Sequence, residues 1–161
     1  MSELGCSGND LSLPSLGQVG VVVRDIQEAV KYYSSVFGIG PFDIYDFRPK
    51  RAWFKGKEVG PVKLKIALAD LGSVKFELIQ VVEGELPHRE FLETHGEGLQ
   101  HLGFYSEKYE EWKSYAKERG MEVLCEAEVE DEVRGKRRGF YMDSGKIGGV
   151  VFEIIEAQRE E

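Results

Sequence analysis

One short pattern occurs twice in the chain, and this repeat constrains the fold more than any other feature. The first copy begins with Gln-Val-Gly at residues 18–20, and the second begins with His-Leu-Gly at residues 101–103. A helix-like stretch follows each copy and ends in glycine, at Gly38 and at Gly120. Self-similarity over a long period is typical of architectures built from repeated units. The sequence therefore predicts two copies of one module.

Hydrophobic periodicity gives each copy the order strand, helix, strand, strand, strand. The predicted fold class is α+β, with two tandem βαβββ modules forming a curved mixed sheet around a cleft. A helix covers one face of each module, and the other face is left for a different purpose. The predicted organisation is a loose leader at 1–14, a first module at 15–82, a connector at 83–98 and a second module at 99–157.

Composition and charge exclude several classes of protein. The 161 residues are 42% hydrophobic and carry a net charge of −8, which argues against nucleic-acid binding because phosphate contacts need clustered Lys and Arg. No apolar run reaches the length of a membrane span, and no secretory signal is visible at the N-terminus. The two cysteines, Cys6 and Cys125, suggest no disulfide framework, which favours a cytoplasmic location.

Four polar side chains occupy equivalent positions in the two modules. Gln18 corresponds to His101, and Glu77 in a Phe-Glu-Leu-Ile run corresponds to Glu153 in a Phe-Glu-Ile-Ile run. Alternate residues of a strand point to opposite faces, so both glutamates should project from the face that the helices leave free. Each of the four alone is better explained as a solvated or structural residue. Their matched positions instead predict that they converge in the concavity of the sheet and bind one cation.

The ligand set limits the metal and suggests a chemistry. One imidazole, one amide oxygen and two carboxylates suit Zn, Ni, Co, Mn or Fe with open positions for substrate oxygens. Such a cation stabilises the enolate formed when a base removes the proton next to a carbonyl. A carboxylate beside the metal can act as that base, which makes Glu153 the first catalytic candidate.

These residues resemble the vicinal oxygen chelate superfamily over about residues 16–157. The set Gln18, Glu77, His101 and Glu153 is similar to that of animal-type glyoxalase I. The segments 91–104 and 148–153 instead look like methylmalonyl-CoA epimerase. The epimerase usually has His at position 18 and Gln at position 77, so the substrate stays open.

The family resemblance and the charge pattern suggest further residues of the site. The base proposed for the epimerase would fall near Glu58. Lys75 shares a strand face with Glu77 and could orient a substrate carboxylate. Arg134 and Arg137 belong to a basic cluster that could hold coenzyme A phosphates or a small diacid. The connector histidines, His88 and His95, are expected at the surface.

The favoured hypothesis is a metal-dependent isomerase, epimerase or lyase that acts on a small acyl thioester or oxo-acid and works as a homodimer. The alternatives are a glyoxalase-like lyase of a thiol adduct and a metal-free small-molecule-binding protein. An extradiol dioxygenase fits less well, because its iron normally takes two His and one carboxylate. The modules can pair within one chain or across a dimer.

Overall fold

The computed structural model describes residues 11–143 and 147–157, which form three helices and ten strands. None of the helices in these ranges is long and apolar enough to span a membrane. The helices are α1 (Ile26–Phe37), α2 (Pro87–His95) and α3 (Tyr109–Glu118). The strands are β1 (Gln18–Val22), β2 (Asp43–Phe47), β3 (Arg51–Phe54), β4 (Lys57–Val59), β5 (Lys63–Leu71), β6 (Val74–Glu83), β7 (Gly98–Tyr105), β8 (Glu122–Asp131), β9 (Gly135–Asp143) and β10 (Val151–Ala157).

All ten strands belong to one mixed sheet, in the order β2-β5-β6-β1-β7-β10-β9-β8-β3-β4. The first module contributes β1, α1, β2, β5 and β6, and the second contributes β7, α3, β8, β9 and β10. The predicted α+β class and the duplicated βαβββ plan are therefore confirmed.

The predicted leader is only partly described. Residues 1–10, with Cys6, lie outside the described residues. Leu11 and Leu13 pack against the core of the second module.

The two modules join within one chain, which decides a question that the sequence left open. Strands β1 and β7 pair antiparallel at the centre of the sheet, with Gln18 opposite Gly103 and Gly20 opposite His101. Each is flanked on its other side by a parallel strand of its own module, β6 beside β1 and β10 beside β7. This arrangement places the two repeats about a local two-fold axis between β1 and β7.

Helices α1 and α3 cover the same face of the sheet, one over each module. The Asp25 carboxylate caps α1 by accepting hydrogen bonds from two backbone N–H groups of the first turn, and Gly38 ends the helix with φ 67°. The core under α1 contains Ile26 and Leu78. The matching core under α3 is built from Tyr109, Trp112, Ala116, Phe104, Phe140, Met142 and Ile154. The opposite, concave face remains free of α1 and α3, as the alternation of residues predicts.

The β3–β4 hairpin closes the curl of the sheet. Its sequence predicts a loop or a ragged hairpin arm. The structure shows a hairpin that leaves the first module and pairs with β8 of the second. Only residues 48–50 separate β2 from β3, so the chain from Phe47 to Arg51 spans at most about 14 Å. In a flat sheet, β2 and β3 would lie eight strand spacings apart, or about 38 Å. The sheet must therefore curl into a half-barrel.

Ala52 offers a test of this closure, because its side chain is 1% exposed and belongs to the core on the concave face. We expect Ala52→Glu to detach the hairpin, since a carboxylate cannot enter this apolar cluster without a partner. Backbone amides of β3 and β8 should then exchange hydrogen for deuterium faster, while those of β1 and β6 stay protected. The control is Lys57→Glu at an exposed hairpin position. Unchanged exchange in β8 would contradict closure by the hairpin.

Candidate functional site

The four matched side chains meet on the concave face at the centre of the sheet. The His101 Nε2 atom lies 3.0 Å from Glu153 Oε2 and 3.5 Å from Glu77 Oε2. The Gln18 amide N–H donates to Glu77 Oε2 at 2.8 Å, and the Gln18 Nε2 atom lies 3.5 Å from Glu153 Oε2. Gln18 and His101 are buried, and the carboxylates are 12% and 16% exposed. The structure thus brings together all four residues that the repeat singles out.

Glycines on neighbouring strands make this convergence possible. A Cβ atom on Gly20 would lie 2.0 Å from Cε1 of His101, so the imidazole ring rests directly on the bare backbone of β1. The Cβ of Gln18 would be 3.0 Å from a Cβ on Gly103, and a Cβ on Gly139 would be 2.9 Å from Glu153 Oε1. A glycine beside a candidate ligand leaves room for another group. The structure shows that the space is filled by the site's own side chains.

A bulge orients the His101 ring. The register between β1 and β7 shifts after Gly20, which leaves Gln100 as an extra residue on β7. Gln100 and His101 are consecutive, yet both are buried. The oxygen of the Gln100 amide lies 2.7 Å from His101 Nδ1 and accepts a hydrogen bond from the Nδ1–H group. This contact directs Nε2 toward the two carboxylates. Strict alternation along a strand could not have assigned this role to Gln100.

Burial controls the charges of this cluster. Burial first, and the neighbouring Glu153 carboxylate second, raise the pKa of Glu77 to about 8, although His101 opposes the shift. Burial lowers the pKa of His101, but the charge and hydrogen bond of Glu153, together with the charge of Glu77, outweigh it and the net shift is upward. With a pKa of about 8, Glu77 keeps its proton at neutral pH, so both carboxyl groups can be charged together only if a cation besides His101 offsets them. The site favours additional positive charge.

The donor set fits a divalent cation by its chemistry. Among the described residues, no group of three or more His, Cys, Asp or Glu side chains has an arrangement that could hold a metal ion as placed. The amide nitrogen of Gln18 faces the carboxylates, and its oxygen accepts a hydrogen bond from the Tyr105 hydroxyl at 3.4 Å. Rotation of the terminal amide exchanges its nitrogen and oxygen. Gln18 can therefore present either an N–H group to the carboxylates or an oxygen to a cation.

An apolar cleft of about 180 Å³ opens above the cluster of Gln18, Glu77, His101 and Glu153, which we call the floor of the cleft. Both modules and the hairpin contribute to its walls. Cys125 lies in the wall, and burial followed by the charge of Glu153 raises its pKa to about 12, so the thiol stays protonated. The apolar lining includes Tyr45, Phe47, Pro49, Ala52, Val62, Leu64, Ile66, Leu68, Ile79, Leu86, Ala127, Val129, Phe140 and Ile155.

The structure does not bring two of the predicted site residues to the cleft. Glu58 projects from the outer face of β4, because its neighbour Val59 packs against the concave core; its carboxylate binds Arg51, with Nε 3.1 Å from Oε1. Lys75 is on the same strand face as Glu77, but it lies near the β5–β6 turn and pairs with Asp70. The geometry supports neither as a base or as a substrate-binding group.

Arg134 and Arg137 do line the cleft, but both already have acidic partners. The Arg134 guanidinium pairs with Asp43 and stacks 3.5 Å above the centre of the Tyr45 ring. Arg137 pairs with Asp131, with N and O atoms 3.0 Å apart. A bound anion would have to compete with these carboxylates.

His88 was expected at the surface, and this prediction is wrong. Its side chain is 3% exposed at the start of α2, where it lines the cleft. The His88 Nε2 atom lies 2.9 Å from the hydroxyl oxygen of Tyr141, whose ring packs 4.9 Å from that of His101, centre to centre. Tyr141 could have been found by alternation along β9, because it shares a face with Gly139. No periodicity pointed to His88, since α2 is short and its burial depends on the curled sheet.

The sequence and the geometry agree with a family match. The chain matches the model of the Glyoxalase/Bleomycin resistance protein/Dioxygenase superfamily over residues 17–141 and belongs to this family. A relative from Bacillus subtilis (strain 168), the uncharacterized protein YqjC, is 25% identical over 91% of this chain and 94% of its own length.

Solved structures share the fold at lower identity. The hypothetical protein BH1468 from Bacillus halodurans C-125 superimposes with a TM-score of 0.67 at 21% identity, covering 91% of this chain and 96% of its own. A variant of methylmalonyl-CoA epimerase from Streptomyces coelicolor, in complex with 2-nitronate-propionyl-CoA, gives a TM-score of 0.65 at 16% identity, with 92% and 100% covered.

The contact between Gly20 and His101 predicts the outcome of a one-carbon substitution. Gly20→Ala should displace the His101 ring, because a Cβ atom cannot lie 2.0 Å from Cε1. Overpacking of this kind lowers the free energy of unfolding by about 1–3 kcal/mol, which urea denaturation would measure. The matched control is Gly98→Ala on the neighbouring strand β7, where the added Cβ would meet Phe91 at an ordinary 3.8 Å. Equal stability of the two variants would rule out the close packing of this ring.

Proposed function

We propose that the protein is a divalent-metal-dependent isomerase or epimerase that removes a proton next to a carbonyl group. The observation that carries this proposal is the convergence of Glu77, His101 and Glu153, with Gln18, beneath an apolar cleft. Buried carboxylates in excess of buried cations favour a bound cation, and the superfamily match makes a metal the expected one. Zn, Ni, Co, Mn and Fe all remain compatible with this donor set.

Gln18, Glu77, His101 and Glu153 would hold the cation. When bound, the cation would polarise the substrate carbonyl and stabilise the negative charge that develops on its oxygen. The role of base falls to Glu153. One of its oxygens contacts His101, and the other rests on the bare backbone of Gly139; both Glu153 and Gly139 line the cleft. Glu77 then serves as a ligand with Gln18 hydrogen-bonded to it.

The apolar walls would exclude water from the reacting carbon. Low polarity strengthens the attraction between the developing charge and the groups at the floor. The proposed substrate class is an acyl thioester or an oxo-acid, and the epimerase neighbour bound to a coenzyme A derivative supports the first of these. Arg134 and Arg137 at the cleft would contact an anionic part of the substrate, in exchange for Asp43 and Asp131. A homodimer and a cytoplasmic location stay predictions.

A glyoxalase-like lyase is the second candidate. The identity of the four floor residues favours it, since Gln, Glu, His and Glu together resemble the ligand set of animal-type glyoxalase I. Both reactions begin with removal of a proton next to a carbonyl, so the same floor serves either. They differ in what occupies the outer cleft, a coenzyme A moiety or a glutathione adduct.

Metal content is the first test. Protein purified without added metal should carry about one divalent ion per chain, measured by plasma mass spectrometry. Glu153→Gln and His101→Ala should each lose most of it, because each removes one of the donors at the floor. Glu83→Gln, an exposed glutamate at the end of β6, should retain the full amount. Full retention in both floor variants would refute the ligand assignment.

Proton exchange is the second test. In deuterium oxide, the protein loaded with metal should introduce deuterium next to the carbonyl of methylmalonyl-CoA, monitored by NMR. Glu153→Gln should abolish this exchange because the base is removed, and Glu58→Gln should not, because Glu58 lies outside the cleft. Equal loss of deuterium exchange in both variants would show that Glu58 also acts in the site.

The same assay separates the two candidate reactions. Exchange in the hemithioacetal of methylglyoxal and glutathione, and none in methylmalonyl-CoA, would favour the glyoxalase-like reaction. If the thioester is the substrate, Arg134→Gln should raise KM and leave kcat nearly unchanged, since a remote contact binds ground and transition states alike. Oxygen consumption without exchange would overturn both candidates.

A further inference from the structure

His88 has an unusual position for a polar side chain. It is the second residue of α2, it is 3% exposed, and its ring lies 6.4 Å from that of His101, centre to centre. Nε2 contacts the Tyr141 hydroxyl at 2.9 Å, whereas Nδ1 is buried without any hydrogen-bond partner in the described part of the chain. Burying a polar atom without a hydrogen-bond partner costs free energy, so the retention of this side chain calls for a reason.

A second proton on the His88 ring would have no acceptor, because Nδ1 is buried without a hydrogen-bond partner among the described residues. Burial, and then the charge of His101, lower the pKa of His88 to about 3. The ring also stands in the first turn of a helix, where the positive end of the helix dipole disfavours a second positive charge. A neutral imidazole carries one proton, on Nδ1 or on Nε2.

The orphaned atom indicates which nitrogen is protonated. With the proton on Nδ1, a buried N–H group would have no acceptor, and such groups are rare in folded proteins. With the proton on Nε2, the ring donates to the Tyr141 oxygen and only a lone pair at Nδ1 stays unsatisfied. The second arrangement is favoured because His88 then uses its single donor.

This protonation of His88 decides which hydrogen bonds the Tyr141 hydroxyl can make. If its oxygen accepts from His88, its own O–H group is free to donate elsewhere. Tyr141 lies directly opposite Glu153 in the β9–β10 ladder and lines the cleft above the floor. The phenol keeps its proton at neutral pH, because its ordinary pKa is about 10 and burial, followed by the charge of Glu153, raises that pKa further.

We infer that Tyr141 donates a hydrogen bond to the substrate oxygen on which negative charge develops, and that His88 positions the Tyr141 hydroxyl for this contact. The inference rests on the proposed function for the identity of that oxygen. Tyr141 is then a catalytic residue, and His88 a positioning residue that acts through it. The pair lies on the side of the cleft formed by β9 and α2, and it adds a donor beside the carboxylate floor.

Kinetics of four variants test the roles. Tyr141→Phe should lower kcat for proton exchange roughly 10²–10³-fold with little change in KM, as is usual when one donor to a developing oxyanion is removed. His88→Leu should have a similar effect, and the double variant should be no worse than Tyr141→Phe, because both changes remove one interaction. His88→Gln should restore much of the rate, since its amide N–H reaches as far as Nε2. The control is His95→Leu, an exposed histidine of the same helix.

A spectroscopic measurement tests the pair independently of activity. Nitrogen-15 NMR of the parent protein at neutral pH should show His88 as a neutral ring protonated at Nε2. A proton on Nδ1, a charged ring, or full activity of Tyr141→Phe would each overturn the inference. A parent protein that exchanges no proton in either thioester or hemithioacetal refutes the proposed function instead. The ring's protonation then still decides whether Tyr141 has a hydroxyl proton to donate.

Discussion

The antiparallel pairing of β1 with β7 is the interaction on which the rest of the structure depends. Its register places Gly103 opposite Gln18 and Gly20 opposite His101, so each long side chain crosses a position without a Cβ atom. Strands β6 and β10 are aligned on this pair, and they bring Glu77 beside Gly20 and Glu153 beside Gly103. A slip of one residue would turn every one of these side chains toward the helices. Fold and site are therefore specified by the same hydrogen bonds.

The free energy that stabilises the fold comes largely from apolar cores that are separate from the acidic residues of the floor. Two clusters, under α1 and α3, contain several fully buried apolar side chains and lie on the opposite face of the sheet. Stability can thus be provided on one face while the other keeps acidic groups close together, an arrangement that costs free energy when no cation balances it. The third cluster, on the concave face, contributes both to stability and to the site. Its side chains pack against one another inside the curled sheet and also form the walls of the cleft.

Closure by the β3–β4 hairpin converts a concave sheet into a cleft with two different sides. A short connection leads from β2, at the edge of the first module, to β3, which pairs with β8 at the far edge of the second module. The stacking of Arg134 on the Tyr45 ring also connects these two edges, from the side of the second module. The floor comes from the two-fold repeat, but the walls do not obey that symmetry. Differences in substrate among proteins with this floor are therefore expected to arise in the hairpin, α2 and the β8–β9 turn.

Much of the fold followed from local patterns. The repeat, the apolar face of α1 and the period-two alternation around Glu77 and Glu153 are properties of short segments, since helix and strand geometry alone decides which residues share a face. They were sufficient to predict both modules, the covered face and the four residues that meet at the centre. The sequence also predicted the hairpin arm, as one of two alternatives beside a loop.

The partners of those segments were decided only by the tertiary structure. Pairing of β3 with β8 joins positions more than seventy residues apart, and it sends Glu58 outward and Ala52 inward. The same curl buries His88 against Tyr141, although nothing near His88 in the chain marks it as an interior residue. Sequence alone determined which side chains could share a face, because that depends on backbone period. Which faces then meet depends on how the whole sheet curves, and the curvature is a property of all ten strands together.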